Sequence, residues 1–488
     1  MAAAARLSAQ GHSVSVFEQS ETYGGKLGGF TRDGYSFDTG PSLLTLPAVY
    51  RDLFLKTAVR RANASLEDNV GLHALDPAFG YRWADGTRAT LPGSNTNRVA
   101  GAFGDALGGS AASDWQAFSR RAADMWAATR VPFLETPLTG PLQLLKQLRK
   151  VDDLRTIAPW QTLRSLGKHY LHDPRLQLVL DRYATYAGSD PRRAPGALAV
   201  IPFVEQTFGA WHIEGGLRRL AAALYNRCVD RGVTFEFNAD VDEVLVSSGS
   251  ASGIRMRDDR VVRADIVVVN ADATALYSSM LRDSRASTPM RRLSRATPSL
   301  SGFALLLALR GRTSGLQHHN VLFPSNYDDE FDSIFGRDPR VVADPAIYIC
   351  SPDDDQMRPD ADSESWFVLV NAARHDPLNG LDWNRSDLAT NYADHLLDVL
   401  AARGYDIRNR VRWREIRTPA TLEAETRAPG GSIYGTSSNG MRGAFLRPAN
   451  QSPVPGLFLV GGSAHPGGGL PLVGMSAAIV ADLIGPAG

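Results

Sequence analysis

Glu18 closes a short apolar stretch, Val14-Ser15-Val16-Phe17, and Gly24-Gly25-Lys26 follows within one loop. An acid at the end of a buried strand can accept hydrogen bonds from a ribose, and paired glycines let the backbone close on a dinucleotide. At the other end of the chain stands Gly461-Gly462-Ser463-Ala464-His465-Pro466-Gly467-Gly468-Gly469-Leu470-Pro471. Its glycines remove side chains where something flat and large must lie against backbone. The helix expected after it offers unpaired N–H groups and a positive dipole end, worth about 0.3–1 kcal/mol against a nearby negative charge at an exposed site.

These loops need strands and helices to hold them. Met1 to Leu7 reads as a helix, with Gly11 placed to end it. In a dinucleotide-binding βαβ unit, a strand and a G-x-G-x-x-G turn come before that helix, so both are expected to be missing from this chain. Gly215-Gly216-Leu217 opens a second helix through Leu220, Leu224 and Cys228, which Gly232 ends. Val233–Phe237, Val241–Val246 and the apolar Ile266–Val269 read as strands, the last covered on both faces. Leu300–Leu309, Ala346–Cys350 and Ser365–Asn371 predict an antiparallel sheet. Leu457–Val460 runs as a strand into the C-terminal glycines, and Gly474–Ile484 reads as a closing helix.

The expected fold class is mixed α/β, with a Rossmann-like, discontinuous cofactor domain at 1–75, 206–275 and 411–488. A substrate-binding, membrane-facing domain of antiparallel sheet and helices is inserted at 76–205 and 276–410. The 488 residues are too many for one core. Lys+Arg and Asp+Glu both number 52, so bulk charge gives no reason to expect nucleic acid. The lone Cys228 and Cys350 fit a reducing cytoplasm, and neither cysteines nor histidines show metal-ligand spacing, so no metal is expected. No apolar run has the ~18–20 residues of a spanning helix.

Glu18-Gln19, Gly24-Gly25-Lys26 and Phe37-Asp38-Thr39-Gly40-Pro41 resemble the opening of the bacterial phytoene-desaturase type of carotenoid desaturase. These are FAD enzymes of the amine-oxidase-like superfamily. Gly215-Gly216-Leu217, Val269-Asn270-Ala271-Asp272, His318-His319-Asn320-Val321-Leu322-Phe323, Arg447-Pro448 and Leu459–Pro471 are similar to further motifs of that family, in the same order.

The resemblance implies FAD, with Glu18 on the ribose and Gly24, Gly25 and Lys26 passing the pyrophosphate and flavin, Lys26 as a phosphate partner. It implies Gly40 and Pro41 on the flavin face and Val241 on the adenosine side. Gly461, Gly462, Gly469, Leu470 and Gly474 would surround the flavin ring. Asp38 and His465 become the titratable residues nearest the chemistry, and Trp211 and His318 become substrate contacts. Desaturation moves a hydride to the flavin and loses a neighbouring proton, so the cofactor supplies most of the chemistry.

A lipophilic polyene substrate implies peripheral membrane contact by a cytoplasmic enzyme. Leu142, Leu144, Leu145, Leu148 and Val151, interleaved with Lys146, Arg149 and Lys150, form a stripe suited to an anionic interface. Alternatives stay open on sequence alone: a carotenoid isomerase or saturase of the same fold, a flavin amine oxidase, or an inactive N-terminally truncated remnant. The polyene, the number of steps, the electron acceptor and the oligomeric state are not legible.

Overall fold

The computed structural model describes residues 1–138, 151–443 and 447–488. The apolar stripe at 142–151 falls largely on positions outside the described residues. Among the described residues, no helix is long and apolar enough to cross a membrane.

The glycine-bearing parts of the chain build two short parallel pairs. Strand β1 (Ser15–Phe17) pairs with β8 (Thr234–Glu236), and β12 (Val267–Val269) pairs with β18 (Leu457–Leu459). The two pairs form separate sheets. Helix Ala2–Ala9 packs against helices Arg218–Asp230 and Leu470–Ile484, which brings both chain ends and the middle together. A three-stranded antiparallel sheet, β9 (Val241–Ser247), β10 (Ser250–Met256) and β11 (Val261–Arg263), completes this half.

The other half centres on a seven-stranded sheet in the order β17-β13-β16-β15-β14-β5-β6. Its strands are Val411–Arg417, Ser301–Arg310, Ser363–Ala372, Ile347–Cys350, His319–Leu322, Phe79–Arg82 and Arg88–Leu91. Neighbours run antiparallel except β14 and β5, which are parallel. On β13 the two-residue side-chain alternation divides the strand between two cores. Phe303, Leu305, Leu307 and Leu309 face helix Leu388–Ala402, while Ala304, Leu306 and Ala308 face the layer holding Phe118, Leu180 and Tyr183. Each buried leucine contributes about 1.5–3 kcal/mol.

One boundary is corrected. Val411–Arg417, expected in the cofactor domain, is the edge strand of the seven-stranded sheet, paired with β13 from Ala304 to Leu309. Its alternating Arg and apolar residues suit an edge position and give no continuous apolar run.

Candidate active site

A single cavity of about 1400 Å³ connects the two halves. One end lies between the parallel strand pairs, bordered by Val14–Phe17, Glu18 and Ile266–Val269. It passes Gly24, Gly25, Lys26 and the loop Gly462–Leu472, then reaches Ala304, Phe367, Leu369, Ile201 and Val204 of the large sheet and its helices.

The fold gathers most of the sequence-predicted residues on this cavity: Glu18, Gly24, Gly25, Lys26, Gly40, Pro41, Val241, Gly462, His465, Gly469 and Leu470. Glu18 Oε1 accepts from the Ser20 N–H and hydroxyl, both at 3.0 Å, which fixes the carboxylate at the strand end. Lys26 does not reach out as a free phosphate partner. Its ammonium donates to the carbonyls of Ile433 (2.8 Å) and Ser432 (3.2 Å), and burial lowers its pKa, opposed by Asp272. Gly40 is required by contact, since a Cβ there would fall 1.8 Å from the Lys26 carbonyl oxygen.

His465 borders the cavity, but its Nε2 lies 2.9 Å from the Thr136 carbonyl and burial lowers its pKa. A neutral ring donating to that carbonyl has its proton committed to holding the loop. Arg447 pins the same loop by donating to the carbonyls of Tyr434, Gly462 and Thr436 at 2.9–3.1 Å. Burial pushes that guanidinium down to about 10, with Asp272 and Tyr434 opposing.

The remaining candidates sit off the cavity lining. The Asp38 carboxylate binds the backbone N–H groups of Leu217 and Arg218, and burial raises its pKa to about 6. A Cβ on Gly461 would meet the Asn270 side-chain nitrogen at 2.2 Å, and one on Gly474 would meet Val49 at 2.6 Å, so both serve close packing. Trp211 donates its indole N–H to the Phe208 carbonyl. The His318 ring meets that of His212 at a tilt and that of His319 edge-on. There the fold does what sequence spacing did not announce, bringing donor atoms of His318, His319 and Cys350 within 4.8 Å of one another.

The sequence reading missed a polar group on the substrate side. Helices Pro174–Thr185 and Val200–Phe208 carry Arg182 and Glu205 into the cavity wall. Glu205 Oε1 accepts from the Tyr183 hydroxyl (2.5 Å), while Oε2 is buried without a hydrogen-bond partner. Burial raises the Glu205 pKa to about 7, against the lowering effects of Tyr183 and Arg182. The legible signal was a charge on a helix face that is otherwise apolar, as in Val200-Ile201-Pro202-Phe203-Val204-Glu205.

Residues 1–484 match the family described as flavin containing amine oxidoreductase. The chain belongs to that family. Among its relatives, a hydroxyneurosporene desaturase of Rubrivivax gelatinosus is 31% identical over 98% of this chain and 90% of its own. A 4,4'-diapolycopene oxygenase of a Methylomonas species is 29% identical over 99% of this chain and 95% of its own. A solved putrescine oxidase, bound to putrescine, shares the fold with a TM-score of 0.61 at 14% identity, covering 99% of this chain and 96% of its own. The chain is thus a flavin-containing oxidoreductase of the carotenoid-desaturase group, and FAD is its cofactor.

The cavity residues of this oxidoreductase fit FAD. The N-terminus of helix Leu470–Ile484 borders the cavity without a side-chain cap, leaving N–H groups for an anionic edge. Around Gly25, a Cβ would meet nothing within 4 Å, so the loop leaves room on the cavity side. Glu18 stands at the far end, where a ribose is read.

Proposed function

We propose that the protein desaturates an acyclic carotenoid such as phytoene, working from the membrane surface. Bound FAD would supply the hydride acceptor. Glu18, Gly24, Gly25, Val241, Gly462 and Leu470 would hold it, and the loop fixed by Arg447 would set its position. The observation that carries this reading is the continuity of the cavity from the glycine loops to the apolar wall of Ala304, Phe367, Leu369, Ile201 and Val204. An amine needs a counter-charge and little length, whereas a polyene needs a long, water-excluding channel that aligns one C–C bond.

Membrane docking has its own support. Val131, Trp160 and Phe208 are exposed apolar side chains, at 52%, 63% and 40%, on segments whose neighbours Trp126, Phe133, Leu134 and Ile157 line the cavity. An apolar rim beside a channel entrance suits uptake from lipid. Flotation with liposomes tests it: recovery in the lipid fraction should fall when Trp160 and Phe208 become Ser, and unchanged recovery rejects that face.

The reaction is tested by expressing the protein in a phytoene-accumulating bacterium and reading pigment absorption and mass. Loss of hydrogen pairs with red-shifted absorption supports desaturation, and the number of pairs gives the step count. An unchanged mass with altered geometry would instead support isomerisation, and unchanged phytoene despite bound flavin would reject phytoene as the substrate.

A further inference from the structure

Removing two hydrogens from a saturated carbon pair leaves a proton to be disposed of inside an apolar channel. Glu18, Glu205, Asp265, Asp272 and Glu425 are the carboxylates bordering the cavity among the described residues. Glu18 belongs to the end bounded by β1, and Asp265 to the end bounded by β12. Glu425 forms an ion pair with Arg417. Asp272 faces the loop side, where it accepts from Thr274 N–H and lies in the field of Lys26 and Arg447. It is therefore a counter-ion for two buried cations, and protonating it would leave both less compensated.

Glu205 is differently placed. It lies in the substrate-side wall with Val204, Ile201, Leu198, Thr185, Tyr186 and Arg182. One oxygen is fixed by the Tyr183 hydroxyl, which orients the carboxyl, and the other, like Asp272 Oδ2, is buried with no hydrogen-bond partner; what sets Glu205 apart is that it is not the counter-ion of Lys26. On the loop side, Gly468 packs on the Tyr434 ring, where a Cβ would come within 2.3 Å, and Tyr434 borders the same cavity as Glu205.

We propose that Glu205, through its unpartnered Oε2, is the proton acceptor of the desaturation, with Tyr183 as its positioning residue. The inference rests on the carotenoid-desaturase reading. One C–H bond of the polyene breaks with its electron pair leaving as hydride to oxidised FAD. The adjacent C–H electron pair becomes the second bond of the new C=C, and its proton forms an O–H bond on Oε2. Arg182 favours the carboxylate before transfer. Tyr81, Tyr183 and Tyr186 are the other titratable groups facing Glu205, all with pKa values raised by burial, and so remain neutral across the working range.

The test compares E205Q, E205D and D272N in the FAD-loaded protein. Bound flavin is read by absorbance, polyene binding by fluorescence quenching, and flavin reduction by anaerobic mixing with a polyene that the parent protein desaturates. A general base is worth about 10²–10⁴-fold, so E205Q should lose that much in reduction rate while keeping flavin and polyene. E205D should recover part of the loss, and the rising limb of the parent's pH profile near neutrality should vanish in E205Q. Independently of turnover, infrared difference spectra of the FAD-free protein across that pH range should show a carboxyl C=O band absent from E205Q.

Flavin reduction in E205Q within about threefold of the parent overturns the assignment, as does a loss confined to D272N, which would make Asp272 the base. If E205Q fails to fold, an unaltered rate and pH profile in E205D overturns it. A parent protein that holds FAD yet reduces it with no polyene overturns the desaturase reading itself, and this proposal with it.

Discussion

The Asp38 carboxylate accepts hydrogen bonds from Leu217 N–H and Arg218 N–H, each at 2.9 Å, and so caps a helix that begins 180 residues later in the chain. Helix Arg218–Asp230 has no side-chain cap of its own at Leu217, and its first N–H groups find this acceptor instead. A residue singled out for chemistry is thereby the clasp between the first loop of the cofactor half and its middle helix.

A pH signature follows from that clasp. Burial raises the Asp38 pKa to about 6 from 3.8, opposed by its two backbone bonds and Arg218. The folded state therefore holds the proton longer than the unfolded chain. Its contribution is fully present below the unfolded pKa and is lost as pH rises through about 6. D38N should flatten the fall in stability between about pH 4 and 6, and D38A should cost about 1–3 kcal/mol at pH 5 by orphaning two buried donors. Urea midpoints at pH 4, 5 and 6 decide it; parallel curves for parent and D38N reject the assignment.

Gly25 and Gly40 separate a cofactor effect from a folding effect. A Cβ at Gly40 would sit 1.8 Å from Lys26 O, a clash with backbone that no rotamer relieves. G40A should therefore unfold, or lose several kcal/mol of stability. At Gly25, with φ +55°, a Cβ meets no atom within 4 Å. G25A should cost only about 1 kcal/mol in stability yet intrude where FAD passes. Melting temperature and flavin content, measured together, should separate the two variants; equal flavin content in G25A and parent would remove Gly25 from the cofactor path.

Gly474 carries the opposite expectation from its place in the glycine-rich C-terminus. Its side faces Val49 and Tyr50 of helix Ala48–Lys56, with room for no more than hydrogen. G474V should lower the melting temperature through overpacking, about 1–3 kcal/mol, while the flavin spectrum of the folded fraction stays unchanged. A shifted flavin spectrum in a stable G474V would return this residue to the ring environment.

Chain order was readable where side chains announce their own surroundings. The apolar run Leu300–Leu309 reads as a strand covered on both faces, and it is; Val267–Val269 is a strand too, but Val268 and the preceding Ile266 are only partly buried, so one of its faces is less covered than expected. Glu18, Gly24, Gly25 and Gly462 were likewise legible, because acid-after-strand and paired glycines have few other uses. Direction was less legible. Nothing in the sequence says that His318 faces two other imidazoles, or that Asp38 turns to a distant helix. Val411–Arg417 hid as a strand because three of its seven residues are arginine, as an edge strand permits. Glu205 hid because a lone acid in a helix ordinarily faces water, and only the packed helices show that this one faces a channel.

The apolar half of the cavity predicts where substrate length is sensed. Ala304 lies opposite Leu369 in the β13–β16 register, both border the cavity, and Ala304, with Gly302 before it, is small where Phe367 and Leu369 beside it are large. A304F would put an aromatic ring into the channel without touching the glycine loops or Arg447. Flavin content should be unchanged, because the residues proposed to hold FAD lie in the other half. Turnover of a long acyclic polyene should fall at least about tenfold, the equivalent of about 1.4 kcal/mol in transition-state binding. A shorter polyene should be less affected, since it can seat nearer the loops. Pigment profiles from cells supplying a C30 and a C40 precursor read both cases side by side. Equal loss on the two would mean that the ring disturbs the site generally, and no loss on either would place the polyene along another wall.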